Sequence, residues 1–473
     1  MSALAGCSGS DVLEDNDESQ SATPRPTVSA SADTSTTVTA APGPIQPGPN
    51  TSAQNWLYNG EFPGPELRVK EGDVFETTVR NDVSEGTTVH WHGVPVPNAM
   101  DGVPGLTQQP IASGETFTYK FRAEPAGTYF YHSHVGLQLD RGLFGPLVIE
   151  EQNPHVEYDR EYTVIVDDYL NQEPRPLSEV DSGQGPMGGG RGGRGGRGGR
   201  GGGGSGGMGN MGQMGDRRPP YAGLLINGRL PSDPQTFTIQ EGERIRLRFV
   251  NAGSATAFRV RTAGHNMSVT HADGRPVEPV TVDSFVFGAG ERYDAVVEAN
   301  NPGTWEIRAD AVNGSESPAR ALLQYDGNSG SPSAPSSEGR RLQYADLNAL
   351  SPLDGINGNP DRQFDLTLSP GGGGSYEWVI DGQAYPDADP LRVREGDHVR
   401  VRMVNRSPVI HPMHLHGHFF QVGNAVKDTV IVPGHMGEVT FDFLADNPGE
   451  WLFHCHNLYH LEAGMARVLQ YVQ

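Results

Sequence analysis

The chain has 473 residues, enough for three sandwich domains of ordinary size, each with its own core. A formal net charge of -23, from 58 Asp and Glu against 35 Lys and Arg, excludes a nucleic-acid partner. The 63 glycines, 37 prolines and lack of long helical periodicity exclude a helical architecture.

Leu4-Ala5-Gly6-Cys7 reads as a lipobox, the site where a lipoprotein leader is cleaved and the new terminal cysteine is lipidated. The leader it needs is expected to begin upstream of residue 1. Residues 8–50 are rich in Ser, Thr, Asp, Glu, Ala and Pro, so 1–45 is assigned to the lipobox and a disordered acidic tether. The protein is expected outside the cytoplasm, secreted or lipid-anchored through Cys7, and monomeric. Lys70, Lys120 and Lys427 are its only lysines, which points to a salt-adapted source.

A repeat then begins. Residues 59–81, 226–251 and 380–405 each alternate β-branched with polar residues between Gly and Pro, which reads as strands of an all-β unit. The second half of the unit recurs as AGTYFYHSH, PGTWEIRAD and PGEWLFHCH. Three units are expected, over 46–155, 156–335 and 336–473.

In the first unit His90-Trp-His92 and His132-Ser-His134 each have the period-2 spacing that puts two imidazoles on one face of a strand. Asp101 follows nine residues after His92. The second unit opens with the stretch 182–215, built of Gly and Arg with Met187, Met208, Met211 and Met214. It cannot pack a core and reads as a solvated loop, although thioethers are soft ligands suited to Cu(I). Counted in register, the second unit offers Val260, Thr262, Arg308 and Asp310 where the outer units offer histidines. It therefore reads as a spacer, with His265 and His271 structural.

In the third unit His414-Leu-His416 and His454-Cys-His456 complete four pairs of histidines. Cys455, His460 and Met465 follow at five-residue steps. Thiolate, imidazole and thioether form a blue-copper ligand set, and His411 supplies the second imidazole. On a strand, His454 and His456 point away from the face that carries Cys455. One strand can therefore serve metal on both faces. These sets take in ten of the 16 histidines, and the first and third units would share a cluster across their interface.

The motifs HWHG (90–93), HSH (132–134), HPMHLHGH (411–418) and HCHNLYHLEAGM (454–465) resemble those of the multicopper oxidases, the family of laccases and bacterial cuprous-ion oxidases. The resemblance runs from about residue 45 to the end. It implies three tandem cupredoxin-like Greek-key β-sandwich domains and four coppers. His411, Cys455, His460 and Met465 would be the type 1 site, and His90 and His414 the type 2 ligands. His92, His132, His134, His416, His454 and His456 would hold the type 3 pair. Asp101 matches the family's aspartate near the type 2 copper. Many bacterial members carry a second acid directly after the last type 1 histidine; here Leu461 stands there and Glu462 follows, a step that on a strand would turn the carboxylate to the opposite face.

The implied activity is laccase-like: one-electron oxidation of phenols or aromatic amines, with electrons entering at an exposed edge of His411 or His460, coupled to reduction of O₂ to water. Cuprous-ion oxidation for copper tolerance is the second reading. A non-enzymatic copper-binding protein is the third, and the complete ligand set argues against it.

Overall fold

Six β-sheets pair into three sandwiches in chain order. The computed structural model describes residues 22–24, 27–177, 218–336, 339–372 and 376–473. Cys7, most of the N-terminal tether and the 182–215 insert with its four methionines lie outside the described residues.

Period-2 patterning builds each sheet. In Leu67–Lys70 and Leu391–Arg394 the first and third residues are buried and the charged ones between them exposed. The middle sandwich has one sheet ordered Gly223–Ile226, Arg160–Tyr169, Arg244–Asn251, Arg292–Glu298, Met267–Ala272, Arg275–Val282. The third sandwich repeats this order strand for strand, from Trp378–Ile380 and Arg362–Pro370 through to Ala425–Lys427. Its cupredoxin-like core buries Trp378 and Trp451, and that of the first sandwich buries Trp91. Each large side chain so buried contributes on the order of 2–3 kcal/mol.

Two boundaries differ from the sequence reading. Residues 34–45 are not tether: Thr34–Gly48 is a strand, and Thr34 to Ala40 pair in parallel with Phe75 to Asn81. The Ser/Thr-rich composition masks an alternation in which Val38 and Ala40 face the core. The third unit also starts later than residue 336. Leu342 donates to the Ser284 carbonyl at 2.9 Å and Glu278 to that of Asn348 at 2.8 Å, so this segment runs along the middle sandwich until Arg362–Pro370 opens the third.

The repeat register shifts by one residue in the middle unit. His90 faces His132 and His414 faces His454, but Arg308 faces Arg261 rather than Val260. The places matching His414 and His416 thus fall on Arg261 and Ala263. His265 bonds Tyr325 Oη at 2.8 Å and His271 bonds Glu151 at 3.1 Å, well apart from the histidine pairs.

The middle sandwich does more than space the outer two. Fully buried Arg292 donates to the Thr128 carbonyl of the first sandwich at 3.2 Å and to the Asp428 carboxylate of the third at 2.8 and 2.6 Å. Gly290, at φ +86°, lies so close to the His456 and His92 rings that a Cβ there would come within 2.9 Å of each.

Candidate metal centres

The strands His411–Leu415 and Glu450–Cys455 lie side by side, with Met413 opposite Cys455 and His414 opposite His454. Alternation sends Cys455 to one side and His454 to the other. On the Cys455 side, the sulfur lies 3.6 Å from His411 Nδ1 and 3.5 Å from His460 Nδ1, and the two nitrogens are 3.1 Å apart. His460 is carried by the one-turn helix α1 (Leu458–Glu462), whose cap Asn457 accepts from the amides of Tyr459 and His460. Met465 is fully buried; its carbonyl accepts from the Cys455 amide at 3.0 Å and its amide donates to the His460 carbonyl at 2.9 Å.

The protonation of His411 follows from its neighbours. Ser407 Oγ gives its proton to Asn405 Oδ1 at 2.8 Å, so it accepts from His411 Nε2 at 2.9 Å. The lone pair of His411 is then on Nδ1, facing the sulfur. Burial pushes the Cys455 thiol up and holds His411 down at about 3. A thiol and two neutral imidazoles converging in a dry site fit a copper ion, which would draw off the thiol proton. Neither imidazole presents the exposed edge expected of it. His411 is 0% and His460 3% exposed, because buried Trp378 lies with its ring 4.9 and 4.3 Å from theirs.

The other eight histidines form one packed group, with ring centres as close as 3.9 Å for His90 and His416 and 3.8 Å for His92 and His414, and two sets of three and one of two can be traced within it. His92, His132 and His456 have ring centres 5.9, 4.8 and 5.4 Å apart. His134, His416 and His454 form a second triad at 5.1, 5.2 and 5.1 Å. His90 and His414, 5.7 Å apart, remain as a pair.

One ring nitrogen of most of these is committed and the other left without a partner. His90 Nδ1 donates to the Asp101 carbonyl, His132 Nδ1 to that of Ser133 and His414 Nδ1 to that of Asp428, at 2.8–2.9 Å. The Nε2 atoms of all three, with His134 Nε2, His92 Nδ1 and both nitrogens of His456, are buried and unbonded. Orphaned buried ring nitrogens in such number suit a cation held among them. His416 Nδ1 donates to the Asp101 carboxylate and His454 Nδ1 to the Cys455 carbonyl, so their Nε2 lone pairs face each other at 3.0 Å. Two lone pairs so placed suit a cation between them. Burial keeps His134 neutral, at about 3, and holds His92, His132, His416, His454 and His456 well below their ordinary value.

Two acids, Asp101 and Asp428, stand against the cluster, and Glu462 does not. Asp101 is fully buried, with its carboxylate 3.2 Å from His90 Nδ1 and 3.0 Å from His416 Nδ1. Glu462 lies apart on an exposed pocket rim, and because it sits on helix α1, one residue rotates its side chain by roughly 100° rather than to the opposite face. Asp428 was missed in the sequence. Its carboxylate lies 3.2 Å from His92 Nε2 and 3.5 Å from His414 Nδ1, clamped by Arg292. The one clue was charged Lys427-Asp428 opening the apolar run TVIV. Ser407 and Trp378 carried no motif signal either.

Residues 39–154, 205–328 and 357–473 each match a model of the multicopper oxidase family. Multicopper oxidase MmcO of Mycobacterium tuberculosis is 37% identical over 88% of this chain and 82% of its own. The chain belongs to the multicopper oxidase family. Copper resistance protein A of Escherichia coli is 29% identical, over 86% of this multicopper oxidase and 88% of the relative. A variant of the laccase from B. aclada has the same fold, with 25% identity, a TM-score of 0.78 and coverage of 94% and 88% of the two chains. This multicopper oxidase binds four coppers, one of type 1, one of type 2 and two of type 3, and its buried histidine sets suit them.

Proposed function

We propose that this multicopper oxidase is of laccase type, taking single electrons from phenols and aromatic amines and delivering them to O₂, which leaves as water. The observation that carries the reading is the run His454-Cys455-His456 at the end of the strand Glu450–Cys455, which joins a closed sulfur-imidazole site to two histidine triads through single peptide units. The residues assigned are His411, Cys455, His460 and Met465 for type 1, His90 and His414 for type 2, and the two triads for type 3. Bound there, copper supplies one-electron redox chemistry on one side and four-electron reduction of O₂ on the other.

The protein's groups do the rest. The Cys455 backbone provides a covalent route to both neighbours, and the His454 Nδ1 hydrogen bond to the Cys455 carbonyl adds a shortcut. Asp101, touching His90 and His416, is placed to hold and pass protons at its carboxylate. An open pocket of about 640 Å³, whose wall includes Val312, Pro408, Val409 and Ile410, adjoins Ser407 and His411 in the chain and has room for an aromatic donor. Trp378, packed on both type 1 imidazoles, makes electron transfer through an aromatic ring rather than direct coordination the favoured entry.

Cuprous-ion oxidation is favoured by one observation, the similarity to a protein named copper resistance protein A. The two separate by O₂ uptake of the copper-loaded chain with 2,6-dimethoxyphenol and with Cu(I), for the full chain and one lacking 182–215. Phenol oxidation unaffected by the deletion supports the laccase reading. Uptake with Cu(I) alone, collapsing with the deletion, refutes it and makes the insert a copper-gathering loop. Export, with a lipid anchor at Cys7 and a monomeric state, belongs to the same proposal; mass spectrometry of the mature N-terminus and sedimentation test it.

A further inference from the structure

Two voids meet behind the type 3 histidines. The outer, about 260 Å³, opens to solvent beside Glu462 and is walled by Val103, Leu452, Tyr385 and Pro386. The inner has room for about one small molecule, roughly 10 Å³, between Leu139, Leu458 and the rings of His132, His134, His454 and His456. They share two wall residues, His134 and Leu461. His134 is held in its triad, with ring centres 5.1 and 5.2 Å from His416 and His454, so the movable part of the wall is Leu461.

We infer that the Leu461 side chain is the gate through which O₂ passes from the outer vestibule to the type 3 histidines. Leu461 packs in a small apolar cluster with Val103, Leu452 and Ala466 at the base of the vestibule. Such a collar suits an apolar gas and resists water and ions, whose transfer into it is costly. The gate's backbone is fixed: the Leu461 amide donates to the Asn457 carbonyl at 3.0 Å, and the Asn457 side chain caps the same turn. Opening is therefore a rotamer change of one half-buried leucine, on the picosecond-to-nanosecond scale, and not a movement of α1. His460, one residue earlier, keeps its place while the gate swings, so oxygen entry and type 1 geometry are independent although they share one helical turn. The inference rests on family membership and holds for either electron donor.

The test uses the full chain, apo and copper-loaded, as wild type, Leu461→Trp and Leu461→Ala. In xenon-pressurised crystals of the apo protein, xenon should bind against Leu139, Leu458 and Leu461, the apolar side of a void whose other walls are imidazoles. The site should vanish in Leu461→Trp and gain occupancy in Leu461→Ala. In the loaded enzyme, Leu461→Trp should raise KM for O₂ several-fold while 2,6-dimethoxyphenol bleaches the blue colour anaerobically at the wild-type rate. An unchanged KM for O₂ in a fully loaded Leu461→Trp protein overturns the gate. Slowed anaerobic bleaching also overturns it, by placing the effect at His460. If Leu461→Trp fails to load copper, Leu461→Ala decides: absence of xenon from its enlarged void refutes the path.

Discussion

Replacing Asp428 by Asn removes one charge from a fully buried pair and changes almost no volume. The Arg292 guanidinium loses a partner that it meets at 2.8 and 2.6 Å, with both side chains 0% exposed. At an effective dielectric constant near 20, two charges whose centres lie about 4 Å apart, as in a bidentate pair, interact by about 4 kcal/mol. Asp273, 3.7 Å from Arg292, remains and compensates in part. The net loss is then about 3 kcal/mol, the lower edge of what breaking a buried pair costs. For a domain of 150–250 residues that lowers Tm by roughly 6–12 °C. Calorimetry of the apo protein measures it directly, without copper contributing to stability. Arg292→Met in the same chain should recover more than half of the fall, because the stranded charge is then gone. A drop of less than about 2 °C for Asp428→Asn alone, well below that Tm range, would refute the view that this pair ties the middle sandwich to the third.

Cys455→Ser should abolish the blue absorption and substrate oxidation while circular dichroism stays native; retained oxidation sinks the type 1 assignment. His90→Ala should keep the blue colour yet stop O₂ consumption. Gly290→Ala should strip copper from the cluster and spare the blue site, since its Cβ would press on the His456 and His92 rings; four coppers per chain would count against it. Apo protein should lose stability as pH falls from about 6.5 towards about 3. Burial holds the ligand histidines neutral when folded, His134 and His411 at about 3, so the unfolded chain alone takes up protons across that window. Copper loading should keep the slope and extend it to lower pH, because metal-bound histidines stay unprotonated in the folded chain; an apo protein with flat stability across the window from about 6.5 to about 3 contradicts the argument.

Much of this was legible because copper chemistry leaves few choices. Histidines at period 2 and a cysteine at a fixed distance from His460 and Met465 are local patterns, and local patterns survive in a linear reading. What failed was what depends on partners far along the chain. Thr34 to Ile45 look like tether until Thr34 to Ala40 pair with Phe75 to Asn81 and Ala40 to Ile45 with Ala53 to Tyr58. Glu462 was placed on a strand because nothing in HLEAG announces a helix; Asn457, five residues earlier, caps it. Asp428 acquires meaning only through Arg292, 136 residues away, and Trp378 only by lying against two imidazoles, one from another strand and one from helix α1.

The cluster draws its ligands from opposite ends of the molecule: Asp101 and His416 touch across 315 residues of chain. Copper there acts as a clasp on a loop of that length, and closing such a loop in a flexible chain costs roughly 5 kcal/mol of entropy. The clasp cannot be fastened before the third sandwich has been made, because half of its teeth, His414, His416, His454 and His456, belong to it. Metallation is thus a report that the first and third sandwiches have both been made and have met. Once fastened, a cut anywhere in the long arc between the two ends leaves the halves buckled together until the metal is withdrawn.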